Sequence, residues 1–251
     1  MMAKGVDLFR LDGKKALVTG ARGGLGKGMA QALRDAGAVT LIVDCDIEVE
    51  KTAEELGAKA FQADLSDIGN LPAVMDRAVK ELGGIDILVN NAGILTRCLA
   101  KDIEFENWRR VLGLNVDAVF RLCQLAGERM IPQGSGKIIN IASMLSYFGG
   151  YLVASYAASK GAVAQLTKAL SNEWAEYGIC VNALAPGYMD TPINATLISD
   201  EKRAAGVLAR IPMGRWGLPD DLAGAVIFLA SHASDYISGA IIPVDGGYLS
   251  R

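Results

Sequence analysis

The sequence predicts an α/β fold: a single domain built on one doubly wound parallel sheet of about seven strands, with helices on both faces. Short apolar, β-branched runs alternate along the chain with longer segments of helical period. Most of those runs are apolar almost throughout, as strands covered on both faces are. The order strand, helix, strand, helix persists to the end of the chain, which is the pattern of a doubly wound sheet. No internal repeat, low-complexity tract or linker divides the 251 residues, so one domain over 1–251 is expected.

The strand candidates, in order, are 15–19, 39–44, 60–64, 85–90, 136–142, 180–186 and 240–245. Helical segments fall between them at 25–36, 46–56, 69–82, 104–130, 155–177 and 219–230. The first run, "KALVT", leads into Thr19-Gly20-Ala21-Arg22-Gly23-Gly24-Leu25-Gly26 and then a helix. Glycines there allow a tight turn and a close backbone approach to a pyrophosphate, and the helix start offers its free N–H groups to the anion. The second run ends on an acid, Asp44, which is the context a dinucleotide site requires. A carboxylate there accepts hydrogen bonds from the adenosine ribose and repels a 2′-phosphate, so NAD is expected rather than NADP; Arg22 is the contrary signal, since a guanidinium can pair with phosphate. Cys45, Asp64 and Leu65 follow the second and third runs, and Asp64 is placed to touch the adenine. The fourth run enters Asn90-Asn91-Ala92-Gly93, where Asn91, Ala92 and Gly93 suit a wall against the cofactor ribose.

Segments 107–130 and 155–177 carry apolar residues around more than one face. Such helices lie deep in a core or cover a partner, and a homo-oligomer contact is expected of them.

Composition narrows the function classes. Net charge is −3 with no Lys/Arg block, which disfavours nucleic acid. No apolar run approaches the ~20 residues of a membrane span, and "MMAKGVDLFRLDGKK" has no signal-peptide core, so a cytoplasmic location is expected. Cys45, Cys98, Cys123 and Cys180 are scattered without metal or disulfide spacing. The one histidine, His232, excludes a cluster of His ligands and, unless recruited itself, a Ser-His-Asp triad; no metal is expected. Proton chemistry must come from another residue type. Tyr156 and Lys160 in "SYAASK" are spaced to share one helix face, and no other tyrosine has a lysine four positions on.

The glycine turn, "NNAG" after the fourth strand, Asn115, Ser143, the Tyr156–Lys160 pair thirteen residues after Ser143, and Pro186-Gly187 together resemble the short-chain dehydrogenase/reductase family, in the family's order and over essentially the whole chain. The resemblance implies a Rossmann-type fold and a catalytic tetrad of Asn115, Ser143, Tyr156 and Lys160. Tyr156 would exchange a proton with the substrate oxygen, and Ser143 would hydrogen-bond that oxygen. Lys160, together with the positive nicotinamide of NAD⁺, would lower the phenol's pKa; Lys160 would also reach the nicotinamide ribose, and Asn115 would hold a proton path behind it. NADP-using relatives carry a basic residue directly before the second motif glycine; here Gly23 holds that position. The resemblance further implies that Pro186, Gly187, Met189 and Thr191 join Tyr156 and Lys160 at the cofactor, that 187–215 forms a lid over substrate, and that the protein is a homotetramer.

In the C-terminal half, "GKIINIASMLSYFGG", "NEWAEYGICVNALAPGYM" and "RIPMGRWGLPDDLAGAVIFLAS" look most like the sugar-acid dehydrogenases of this family. A sugar-acid substrate wants a cation, and Arg97 is expected to bind its carboxylate, with Tyr151, Ser143 and Tyr156 near its hydroxyls. The competing expectations are a 3-oxoacyl carrier-protein or general ketone reductase, and an NAD-sensing protein without turnover.

Overall fold

A computed structural model describes residues 5–251; the first four residues of the domain expected over 1–251 lie outside it. Seven strands, β1 (Lys15–Thr19), β2 (Val39–Asp44), β3 (Lys59–Gln62), β4 (Ile87–Asn90), β5 (Gly136–Ile141), β6 (Ile179–Pro186) and β7 (Ile241–Val244), form one sheet in the order β3-β2-β1-β4-β5-β6-β7. Every pairing is parallel. The helices are α1 (Gly24–Asp35), α2 (Val49–Leu56), α3 (Leu71–Leu82), α4 (Phe105–Leu112), α5 (Val119–Gln133), α6 (Ala154–Trp174), α7 (Ala195–Ile198), α8 (Glu201–Leu208) and α9 (Ala223–Ala230). No helix among the described residues is long and apolar enough to cross a membrane.

The continuous hydrophobicity of the strands now has its reason. In β1, Leu17 packs into the core on the α3, α5 and α6 side, while Ala16 and Val18 pack on the side of α1 and α9. Alternate side chains serve opposite cores, so neither face can be polar. The two edges are handled differently. β3 carries exposed Lys59 and Gln62, and β7 carries Pro243, residues that discourage further strand pairing.

Between β1 and β4 the connections run to opposite sides, leaving a crevice at the carboxyl ends of the strands. Into that crevice come the turn after β1, Asn91–Gly93 after β4, Ser143 after β5 and Thr191 after β6.

Three expectations change. The helix expected over 104–130 is two helices joined by a π-turn at Gly113–Ala118, and this turn places Asn115 in the core. Such insertions redirect side chains where a regular helix would not. The expected helices leave 187–215 without one, whereas it contains α7 and α8. The third strand is shorter than 60–64, ending at Gln62, so Asp64 stands on a loop. On α4 and α5, Phe105 and Phe120 remain exposed, while Trp108 and Leu112 are half-buried.

Candidate active site

The turn after β1 is fixed by its closeness to β4. Gly20 has φ +63°, and a Cβ on it would lie 2.6 Å from Ala92 Cα; a Cβ on Gly26 would lie 2.3 Å from the Gly20 carbonyl oxygen. Asn91 Nδ2 donates to the carbonyls of Thr19 (3.0 Å) and Gly20 (2.7 Å), and Asn91 N and Ala92 N both donate to Thr19 Oγ1 at 3.1 Å. The carbonyls of the turn are thereby satisfied from within. The first N–H groups of α1 are not: its N-cap, Gly23, offers no side-chain oxygen. An uncapped helix start is an anion site in waiting.

That helix start opens on a cavity of about 280 Å³ lined by Gly20, Arg22, Gly24, Leu25, Asp44, Asn91, Gly93, Tyr156, Lys160 and Thr191. A second cavity of about 190 Å³ shares Gly20, Asp44, Asn91 and Gly93 with it and adds Cys45, Asp64, Leu65 and Ala92. The two form one bent groove along the carboxyl ends of β1, β2 and β4. Thr191 Oγ1 is buried without a hydrogen-bond partner. A buried hydroxyl at the wall of this groove, beside free amides at its floor, fits a dinucleotide with a polar nicotinamide end. Three expected cofactor residues are not among those lining the groove. Pro186 lines neither cavity, and Gly187 lines the neighbouring one described below. Met189 is turned into the core, where its sulfur would sit 2.3 Å from a Cβ on Gly217, because a short bridge pairs these two residues.

Asp44 Oδ2 accepts from Arg22 N at 3.1 Å, so the acid is held at the mouth of the turn. The Arg22 guanidinium is paired with two acids, Asp46 at 3.2 Å and Glu48 at 3.4 Å.

Tyr156 and Lys160 do share a face of α6. Lys160 Nζ lies 5.5 Å from the Tyr156 ring centroid and donates to the Ile141 carbonyl at 2.6 Å. Lys160 is 4% exposed. Burial pulls its ammonium down to about 8. Burial also pushes the Tyr156 phenol up to about 12, while the Ser143 hydroxyl and the Arg97 charge pull the other way. Loss of hydration acts on both groups, and in the protein alone it outweighs the neighbouring charges. Ser143 is itself held, its Oγ accepting from Leu145 N at 3.1 Å.

Asn115 is fully buried, with Oδ1 accepting from Ile94 N (2.9 Å) and Nδ2 donating to Ile94 O (2.9 Å) and Ser159 Oγ (3.0 Å). Its side chain therefore ties the loop after β4 to α6, behind the Tyr156–Lys160 pair.

Tyr156 is also part of another cavity, about 310 Å³, lined by Arg97, Ser143, Tyr151, Gly187, Tyr188, Asn194, Arg203, Arg210 and Tyr248 among others. One tyrosine thus faces both spaces. Tyr151 stands 79% exposed at the rim. Its neighbour Leu152 has φ +65°, the one positive φ of a non-glycine residue among those described, and its carbonyl is pinned by Cys98 N at 2.8 Å. Strain of this kind, about 1 kcal/mol or more, gathers at functional loops. Arg97 donates to Ile193 O at 3.0 Å and to Asn194 Oδ1 at 3.1 Å, so it ties the loop after β4 to the segment beyond β6. Sequence reasoning missed Arg203, Arg210, Tyr188 and Tyr248. A signal was present for two of them: Arg203 and Arg210 stand seven apart, two helical turns, on one side of a helix-compatible stretch.

A larger cavity, about 710 Å³, lies at the amino ends of β5 and β6, at the opposite end of the strands, and includes His232, which bonds Asp235 at 2.9 Å. None of the tetrad reaches it. Among the described residues no group of three or more His, Cys, Asp or Glu side chains could hold a metal ion. Cys45 is exposed, Cys98 half-buried, Cys123 and Cys180 buried, and all four are free thiols.

A parallel seven-stranded sheet with a dinucleotide groove at its switch point and a Tyr/Lys pair facing that groove defines a nicotinamide-dependent oxidoreductase. Residues 20–249 match the family model described as enoyl-(acyl carrier protein) reductase. The 2-dehydro-3-deoxy-D-gluconate 5-dehydrogenase of Escherichia coli K12 is 50% identical over 249 residues, 97% of this chain and 98% of that one. The gluconate 5-dehydrogenase of Gluconobacter oxydans is 40% identical over 96% of each chain. Among solved structures, a gluconate 5-dehydrogenase from Burkholderia cenocepacia in complex with NADP and tartrate superposes with a TM-score of 0.95 at 41% identity, covering 98% of this chain and 99% of that one. The chain belongs to the short-chain dehydrogenase/reductase family.

Proposed function

We propose that the protein is an NAD-dependent dehydrogenase that reversibly oxidises a secondary alcohol of a linear sugar acid, of the 2-dehydro-3-deoxy-D-gluconate 5-dehydrogenase type. The observation that carries this reading is the position of Tyr156, on the shared wall of the cofactor groove and of an arginine-lined cavity. The relatives named for 2-dehydro-3-deoxy-D-gluconate and gluconate support the substrate class.

When bound, the nicotinamide accepts or supplies the hydride. The chain's part is the proton. With its pKa pushed up to about 12, the Tyr156 phenol is protonated at neutral pH and suited to donate to the oxygen of a ketone. In the oxidative direction it must accept a proton instead, and that step is favoured as pH rises. Ser143 is positioned to hydrogen-bond the same oxygen. Lys160, fixed by Ile141, keeps a positive charge against the tyrosine ring. Asn115 acts as a positioning residue through Ile94 and Ser159.

NAD is favoured over NADP by two features of this chain. Asp44 stands where a 2′-phosphate would be repelled, and Arg22, the one nearby cation that could answer such a phosphate, is paired with Asp46 and Glu48. The Burkholderia relative holds NADP, so its site accepts that phosphate. In the same reading, residues 187–215 form the lid over substrate, latched by Arg97. The working form is a cytoplasmic homotetramer, supported by the apolar side chains that α4 and α5 leave uncovered, Phe105 and Phe120 among them; sedimentation of the purified protein as a monomer would remove the oligomer from the proposal.

The test is a screen of aldonates with NAD⁺ and ketoaldonates with NADH, each repeated with the phosphorylated cofactor, reading absorbance of the reduced nicotinamide. Turnover of a hexonate-type acid with NAD(H) is expected. Reduction of acyl thioesters with no turnover of any sugar acid would overturn the reading in favour of a carrier-protein reductase.

A further inference from the structure

The cavity beside Tyr156 has a lining of unusual charge. Three arginines, Arg97, Arg203 and Arg210, contribute to it, and no aspartate or glutamate does. The three are not equivalent. Arg97 has committed two N–H groups to Ile193 and Asn194. Arg210 lies over the Tyr248 ring, its guanidinium carbon 4.3 Å from the centroid. The side chain of Arg203 has no ion pair, hydrogen bond or ring contact among the described residues; only its backbone is engaged, donating to Asp200 Oδ1 at 3.1 Å in the cap of α8. The Arg203 charge is felt by Arg97, whose pKa is drawn down by burial first and by Arg203 next. Two like charges facing one cavity with no acid between them are unfavourable until an anion arrives.

We infer that Arg203, carried on α8, receives the carboxylate of the substrate, while Arg97 serves as the latch that holds the lid's first segment in place. The inference rests on the sugar-acid reading above and adds to it the residue that selects an acid over a neutral polyol. It also assigns Arg97, expected from the sequence to be the carboxylate's partner, mainly to the lid. Arg203 is exposed in the present conformation, so α8 is where an acidic ligand would be felt. A carboxylate held by the Arg203 fork would draw α8 against the loop after β4, closing the site over the alcohol at Tyr156.

The decisive experiment compares the wild type with Arg203→Ala, Arg203→Lys and Arg97→Ala. Each is assayed with 5-keto-D-gluconate and with a neutral ketohexose of the same chain length, and gluconate binding in the presence of NADH is measured by calorimetry. For Arg203→Ala the ratio of kcat/KM for acid over neutral substrate should fall on the order of 10- to 100-fold, as expected for loss of a charge-assisted hydrogen bond. Arg203→Lys should recover part of that ratio. Arg97→Ala should weaken acid and neutral substrate alike. An unchanged ratio in Arg203→Ala overturns the inference and leaves the sugar-acid reading standing. If the wild type reduces no ketoaldonate with either cofactor, that reading falls, and the calorimetry still decides: equal gluconate affinity in wild type and Arg203→Ala, or none in either, overturns the role of Arg203.

Discussion

The ammonium of Lys160 lies 5.5 Å from the centroid of the Tyr156 ring and is anchored 2.6 Å from the Ile141 carbonyl, one helical turn beyond the tyrosine it accompanies. Both groups are held in an environment that disfavours their charged forms, and a stability effect follows. The folded-state pKa of Lys160, about 8, lies below its ordinary value of 10.5. Below pH 8 the lysine is charged in both states and its burial penalty is fully present. Between pH 8 and 10.5 the unfolded chain binds more protons than the folded one, so this group's contribution to stability rises with pH. The unfolding free energy of the wild type, taken relative to Lys160→Met, should therefore increase by about 2 kcal/mol between pH 8 and pH 10. Paired denaturant titrations across that range check it, and a flat or falling difference would refute it.

Gly26 and Gly23 make a controlled pair. A Cβ at position 26 would press to 2.3 Å on the Gly20 carbonyl, whereas one at position 23 meets nothing within 4 Å, in extended backbone with φ −160°. Gly26→Ala should lower stability by about 2–3 kcal/mol and abolish NADH binding, while Gly23→Ala should change stability by less than about 1 kcal/mol. Thermal melts and NADH fluorescence titration of the two variants decide it.

Asn115 closes three hydrogen bonds at full burial. Asn115→Leu orphans both backbone groups of Ile94 and should cost about 3 kcal/mol, with kcat falling more than KM rises because the displaced element is the wall behind Lys160. A stability loss with kcat unchanged would show that the clamp does not reach the chemistry.

Arg22 is free to answer a phosphate only if its acids are removed. The double variant Asp46→Asn/Glu48→Gln should shift the ratio of kcat/KM for NADP over NAD by about 10-fold towards NADP, and Asp44→Ala added to it should shift the ratio further. The measurement is steady-state kinetics with both cofactors; no movement in the ratio would place cofactor choice elsewhere.

The parallel strands, the two covered faces and the dinucleotide groove were legible in the sequence because each depends on local pattern. Apolar runs mark parallel strands, and a glycine turn between strand and helix, followed by an acid after the next strand, marks the groove. Spacing on one helix, taken together with the glycine turn, Asp44 and Ser143, likewise paired Tyr156 with Lys160. Three things were decided only by the tertiary structure. How far the Tyr156 and Lys160 pKa values move depends on how much water both groups lose, which no spacing reports. Where Met189 points depends on a bridge to Gly217, a residue nearly thirty positions away. And the company of Arg97, with Arg203 and Arg210 in the lining of the same cavity and no acid among them, exists because the segment that carries α8 packs beside the loop after β4. Sequence determines what repeats along the chain or within a turn of helix; charge balance in a cavity is a sum over segments far apart in the chain, and only their packing fixes it.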